Sequence, residues 1–340
     1  MVKLFRIAIS LLIFVTPLST HAEGNPPPVI IEKAAFAAGR TWVLTVDGKL
    51  LAFAPGDTNV NETPLMGRGL TICTDGKSLG VITSNDNEKA SWRFGWIRPG
   101  GTDVPLAIKT KGEKIAGLIC HDQSATLVTT RRVLRIGPMG LNETPLTQDL
   151  VKTTIIFRPS AILETGGRIL IGTDAGEWGG TLIAIAPNTG EVKTIKKVSG
   201  DGKASYSVGN IQGLIQNPWK PDCVFATVGL VHFGPQGEIV NVCGQTATTM
   251  FFKPYEIKGS TGDSVAFYGL VKVRDAVLAY GIDGLYRLTQ NGKPALEPRP
   301  KLTPVGPLHV SYDLPGVVAL AGRSNGGMSI GVQVLTLVAR

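Results

Sequence analysis

A hairpin unit recurs along this chain, and no other feature restricts the fold as strongly. Its clearest copies are WVLTVDGKLLAFAPG (42–56), ILIGTDAGEWGGTLIAIAPNTGEV (169–192) and VLAYGIDGLYRLTQNGKP (277–294). Each reads as an apolar strand, a tight turn, an alternating second strand, another turn and a short closing segment. Asp47-Gly48 and Asp283-Gly284 are pairs suited to two-residue type I′ turns, in which both central residues take positive φ. First strands of similar character begin near Val43, Val81, Leu127, Ile169, Val224, Val277 and Val318, about 40 to 55 residues apart, close to the length of a four-stranded propeller blade.

Two local echoes support the repeat. The pentapeptide NETPL stands at 61–65 and again at 142–146, with Asp103-Val104-Pro105-Leu106 in the corresponding place between them, so it marks a blade-connecting position. GLTICTDGKSLGVIT (69–83) superposes on AGLICHDQSATLVTT (116–130), Cys73 on Cys120 and Asp75 on Asp122. Helical periodicity is scarce, and 42 glycines suit many short elements joined by turns. The pattern predicts an all-β fold, a β-propeller of six to eight blades with seven the simplest count. Closure is expected from pairing of VIIEKAAFAA (29–38) with SIGVQVLTLVAR (329–340).

The first residues, MVKLFRIAISLLIFVTPLSTHA, place Lys3 and Arg6 ahead of an apolar run and end in a small-residue cleavage site, the plan of a secretory leader. Pro17 and the polar residues after it interrupt that run before the roughly 20 residues a membrane span needs. The expected organisation is a signal peptide at 1–22, a polyproline-like arm at 23–28 and a single propeller at 29–340. The mature protein is then periplasmic or secreted, without a membrane span. Cleavage lowers the formal charge from +8 to +6. Nucleic-acid binding would need clustered cations with interleaved aromatics, and Lys193, Lys196 and Lys197 read as a solvated strand end.

Four cysteines in an exported chain permit disulfides. Cys73 with Cys120 and Cys223 with Cys243 is the simplest set, and buried free thiols are the alternative. GTDAGEWGGTL (172–182) is the most unusual stretch: its glycines let Asp174, Glu177 and Trp178 be presented to a ligand or partner, against a plain bulged hairpin as the alternative. Gly322-Arg323-Ser324-Asn325-Gly326 matches a hydrolase nucleophile pattern but lacks the helix, acid and histidine that should follow it. His121, His232 and His309 fall in different units without metal-ligand spacing. Asn85-Asp86-Asn87-Glu88 is oxygen-rich and lacks EF-hand spacing.

On these repeats the chain resembles the exported bacterial β-propellers, a broad group with quinoprotein-like, lactonase-like and WD40-like members. The closest local likeness is GTLIAIAPNTGEV (180–192) to the quinoprotein repeat, with Pro187 where an Asp is usual and no tryptophan after Val192. The reading that follows is a non-catalytic binding or scaffold propeller of the envelope, with no cofactor, whose partner is an envelope or extracellular protein or a small ligand. Resemblance to the lactonase-like members implies an alternative: a metal-dependent hydrolase holding a divalent cation through carboxylates drawn from Asp75, Asp122, Asp174, Glu177 and Asp283, the cation polarising a substrate carbonyl.

Overall fold

A computed structural model describes residues 31–53, 61–85 and 91–297, apart from 155, 206, 233, 256–262, 274 and 292, and three later strand segments. The expected leader and proline-rich arm, residues 86–88 of the oxygen-rich turn and residues 323–326 of the nucleophile-like motif lie outside the described residues.

The fold is an all-β propeller. Blade one is formed by Ile31–Ala37, Arg40–Thr45, Leu50–Phe53 and Asn61–Thr63, hydrogen-bonded in chain order. Blade two has Arg68–Thr74, Leu79–Ser84 and Ser91–Arg98, and its outer edge is split between Gly101–Thr102 and Leu106–Lys109. Blade three is Ile115–His121, Ser124–Thr129, Arg132–Gly137 and Gly140–Pro145. Blade four is Pro159–Thr165, Arg168–Thr173, Leu182–Ile185 and Val192–Thr194. Blade five runs from Ile211–Gln216 through Cys223–His232 and Gly234–Cys243 to Thr246–Phe251, and the preceding connector adds Lys196–Val198 and Ala204–Ser205 outside it. Blade six is Phe267–Val273, Ala276–Gly281, Gly284–Leu288 and Ala295–Glu297. A last sheet holds Leu308–Ser311, Val317–Gly322 and Gln333–Thr336.

Six sheets therefore have the four or more strands of a full blade, and the last has three among the described residues. The expectation of seven blades is corrected to six full blades and this narrower sheet. The innermost strands lie side by side in chain order, and Leu308–Ser311 comes back beside Ile31–Ala37. The expected pairing of the two chain ends is not found among the described residues. Ile31–Ala37 pairs with Arg40–Thr45, and Gln333–Thr336 pairs with Val317–Gly322. The Ala38-Gly39 turn sets Arg40–Thr45 directly against Ile31–Ala37, so Ile31–Ala37 becomes the innermost strand of its own blade.

The second strands read as unbroken apolar runs because each lies between two neighbouring sheets. LGVITS (79–84) and AVLAYG (276–281) are buried along their whole length, as expected of strands covered on both faces. The core follows the ring as separate layers between blades. Leu44, Ile72 and Val81 fill the first, Phe94, Trp96 and Leu127 the second, and Phe225, Phe267 and Tyr286 the layer between blades five and six.

Each full blade bears a β-bulge at one place in its innermost strand, where Glu32, Leu70, Ala116, Ser160, Gln212 and Tyr268 are the extra residues. These bulges give a common register. They show that Cys73 corresponds to Ile119 and not to Cys120, so the superposition of 69–83 on 116–130 is out by one residue. The slip has a physical reason. Equivalent side chains in successive blades point the same way round the ring, and a one-residue shift reverses the direction. Cys73 faces forward and Cys120 faces back, which lets them meet.

Both disulfides form, Cys73 with Cys120 at a Cα separation of 5.5 Å and Cys223 with Cys243 at 4.4 Å. The free-thiol alternative is thereby set aside, since no cysteine is unpaired. Gly80, opposite Cys73 in the ladder, leaves room for the first bridge: a Cβ there would lie 2.7 Å from the Cys120 sulfur.

The turns also differ from expectation. Positive φ at both central residues occurs at Ala38-Gly39, Asp122-Gln123 and Gly166-Gly167, the turns joining first to second strands. At Asp47-Gly48 only the glycine has positive φ. There the Thr45 hydroxyl bonds both the Asp47 side chain and the Lys49 backbone, and this side-chain bonding favours a longer turn. In blade six Gly284 belongs to the ladder, opposite Gly281, so Ile282 and Asp283 form the turn.

NETPL is explained by position. Both copies run along an outer strand, and the leucines that follow, Leu65 and Leu146, tuck into the layers between blades one and two and between blades three and four. Pro105-Leu106 departs from this pattern, because it opens an outer segment instead of ending one.

Candidate functional site

Alternating strand direction gives the ring two faces. The turn face carries the hairpin turns between first and second strands. The connector face carries the second-to-third turns and the segments that return from an outer strand to the next blade's innermost strand. The loop 174–181, which contains the GEWGG stretch, lies on the connector face.

That loop is braced from the next blade. Asp174 Oδ1 accepts from the Gly176 amide at 2.9 Å, and its Oδ2 accepts from Gln212 Nε2 at 3.0 Å. Asn210 takes the Ala175 amide on Oδ1 at 3.1 Å and donates from Nδ2 to the Gly176 carbonyl at 2.8 Å. Ser207 Oγ donates to the Gly180 carbonyl at 3.2 Å. Gly180 admits no side chain, since a Cβ would collide with the carbonyls of Thr173 and Gly209. Within this frame Gly176–Trp178 makes one 3₁₀ turn, and Trp178 is 63% exposed.

Asp174 is therefore a brace, whereas Glu177 and Trp178 are displayed, both exposed on the surface. The bracing residues Asn210 and Gln212 were not legible in the sequence. They reach the loop from 35 and 38 positions away in the chain, and nothing local to them signals it.

The neighbouring connector is pinned in a similar way. Asp149 caps the 3₁₀ turn Leu150–Thr153 by accepting from the Val151 amide at 3.0 Å, and it takes Arg131 Nε at 2.9 Å. Burial alone would raise the Asp149 carboxyl, but these bonds and the charges of Arg131 and Lys152 hold it below the usual range. Beneath lies an ion network in which Arg132 and Glu113 have side chains only 5% and 0% exposed. Arg132 also meets Glu143 at 2.7 Å, and Lys111 meets Glu143 at 2.6 Å. The Lys111 hydrogen bond leads the causes that lower the Glu143 carboxyl, with Arg132 adding to it against burial.

Ten large apolar side chains among the described residues are exposed. Six of them, Met66, Val151, Ile156, Trp178, Val231 and Phe252, sit on connector-face loops or strand ends. Gly176–Trp178 lies beside Cys223–His232, whose tip carries Val231. Val104, Leu141 and Leu296 lie at the rim, and Met139 is in a turn of the opposite face.

The five carboxylates considered for a cation are not brought together. Asp75 and Asp122 lie in turns of blades two and three on the turn face, while Asp174, Glu177 and Asp283 lie on the connector face of blades four and six. Asp75 Oδ1 accepts from the amides of Lys77 and Ser78 at 2.9 and 2.7 Å, and so shapes its own turn. With Asp122 and His121 it borders a cavity of about 330 Å³. Asp283 Oδ2 takes Lys253 Nζ at 2.8 Å and the Tyr286 hydroxyl at 2.7 Å, a clamp between blades five and six. Burial, reinforced by Asp283, pushes the Tyr286 hydroxyl up to about 12 against the pull of Lys253. Among the described residues no three His, Cys, Asp or Glu side chains are grouped as a metal would require. The innermost strands enclose an axial cavity of about 620 Å³ whose polar lining includes Glu32, Ser160, Gln212 and Lys272. The three histidines stand on three different sheets.

No family model and no curated protein matches the sequence. Solved propellers are similar in fold. YCF48 bound to D1 peptide aligns at 11% identity and a TM-score of 0.57, over 92% of this chain and 94% of that one. U3-55K aligns at 10% identity and 0.57, over 92% and 97%. The extracellular domain of BT4673 from B. thetaiotaomicron aligns at 12% identity and 0.53, over 92% of this chain and 39% of that longer one. Likeness at such identities establishes the propeller and leaves the ligand to the site itself. Among the described residues no helix is long and apolar enough to cross a membrane.

Proposed function

We propose that this protein is an exported, non-catalytic binding propeller of the bacterial envelope that holds a partner on its connector face. One observation carries the reading: most of the exposed large apolar side chains among the described residues lie on that face, and the largest of them, Trp178, stands on a loop locked by Asp174, Asn210 and Gln212. A rigid aromatic anchor loses little entropy when a partner covers it, which is why such residues dominate interfaces. Two disulfides suit an oxidising compartment, as does the leader-like start of the chain. A propeller of the same architecture, YCF48, is described as bound to a peptide.

The test is recovery of partners from envelope extracts by immobilised residues 23–340. Wild type is compared with the Glu177→Ala, Trp178→Ala double variant and with Met139→Ala on the opposite face. Loss of the recovered partners in the double variant alone is the expected result, and their full retention overturns the reading. Unfolding after chelation and after calcium addition separates this reading from a cation-dependent one, because a bound ion raises the midpoint by mass action. An unchanged midpoint is expected.

A further inference from the structure

We infer that the partner is an extended acidic protein segment with an apolar anchor, gripped along the arc formed by Val151, Ile156 and Trp178. The inference rests on the connector-face reading and adds its chemistry.

The charges beside the arc are unbalanced. Lys152 and Arg158 lie on the same connector as Val151 and Ile156, both are exposed, and neither enters an ion pair among the described residues. Of the nearby acids, Asp149 is engaged by Arg131 and the Val151 amide and Asp174 by Gln212 and the Gly176 amide, while Glu177 is exposed beside Trp178, so two exposed cations face one exposed carboxylate. Arg158 borders the tryptophan loop directly, because its carbonyl accepts the Asp174 amide at 2.9 Å. Two cations thus flank an apolar surface, and a ligand with carboxylates on either side of an aromatic or aliphatic residue complements both.

The shape favours a chain over a small molecule. The arc crosses the surface from the connector of blades three and four to the loop of blade four, outside the axial cavity that Ser160 and Gln212 line, and the cavity beside Asp75 lies on the opposite face. A strand-like segment advances about 3.3 Å per residue and presents alternate side chains to such a surface. A polyanion such as nucleic acid would call for a dense run of cations, and here apolar groups separate them. The net charge of +6 on residues 23–340 adds long-range attraction for an acidic chain.

The experiment selects random phage-displayed dodecapeptides on folded residues 23–340 at about 0.15 M salt, where surface charges are partly screened. Selected peptides are then measured against wild type, Trp178→Ala, the Lys152→Glu, Arg158→Glu double variant and Met139→Ala, each checked for an unchanged melting midpoint. Peptides rich in Asp and Glu around an aromatic or aliphatic residue are expected. Their affinity should fall about tenfold or more in the tryptophan and charge-reversed variants and stay level in Met139→Ala. Peptides that need Trp178 but ignore the charge reversal overturn the acidic partner and leave the binding face standing. Failure of any peptide to depend on Trp178 overturns both. Binding of a single-stranded oligonucleotide in place of peptides replaces the protein segment with a polyanion.

Discussion

The two faces of the ring are held together differently. On the turn face the chain is stapled: both disulfides lie there, one joining the innermost strands of blades two and three and the other closing the hairpin of blade five. Three of its described hairpins close in two residues with positive φ, at Ala38-Gly39, Asp122-Gln123 and Gly166-Gly167. On the connector face the chain is braced by side chains, with Asp149, Asp174, Asn210 and Arg132 each holding a loop through hydrogen bonds or ion pairs. The difference follows from topology. Each blade ends at the perimeter and the next begins at the axis, so its connector must cross one face and needs length. A long surface segment can carry displayed residues, and a two-residue turn has no room for them. Framework and display are thereby separated.

Changes to the two kinds of fastening sharpen the contrast, and the largest effect is expected from the buried ions. Arg132→Ala leaves Glu113 charged and buried, and should cost about 3–5 kcal/mol in urea unfolding. A loss below about 1 kcal/mol would mean that the network is dispensable. On the turn face, Cys73→Ser with Cys120→Ser opens a loop with a sequence separation of 47 and should cost about 4 kcal/mol. The separation of 20 at Cys223 and Cys243 gives about 3 kcal/mol. Neither pair should alter partner binding once the variant is folded, and a binding defect at matched stability would break the separation of roles. Asn210→Ala should cost about 1–2 kcal/mol and weaken binding as well, because it frees the loop that holds Trp178. Trp178→Ala should change stability by no more than about 0.5 kcal/mol while removing binding.

A pH series isolates the connector side. The Glu143 carboxyl is held below its ordinary value, mainly by Lys111 and Arg132. Its contribution is complete above the ordinary carboxylate range and is lost as pH falls through the lowered value. Denaturant midpoints should therefore drop on acidification, and Glu143→Gln should flatten that drop. An identical acid profile in the variant would remove Glu143 from the account.

The architecture was legible because hairpin repetition is local. Alternating strands, glycine turns and the NETPL outer strand are written within a few residues of one another. Register was harder: a one-residue slip hides in sequence, yet decides whether Cys73 and Cys120 face each other. The turn types are not legible in the sequence because Asp-Gly permits several geometries: the Thr45 hydroxyl selects one at Asp47-Gly48, and the ladder takes up Gly284 in blade six. The unusual GEWGG loop stood out by composition, but its rigidity did not, since the braces arrive from another blade. The five carboxylates looked equivalent in sequence, and only the direction of each strand assigns them to opposite faces.

Site-specific photocrosslinking tests the central claim most directly, with a photoreactive residue placed at Trp178 or at Met139 of the full chain expressed in bacterial cells. The account expects a discrete adduct from position 178, diminished by Arg158→Glu, and none from position 139. An adduct from 139 with none from 178 would place the binding surface on the stapled face and contradict it.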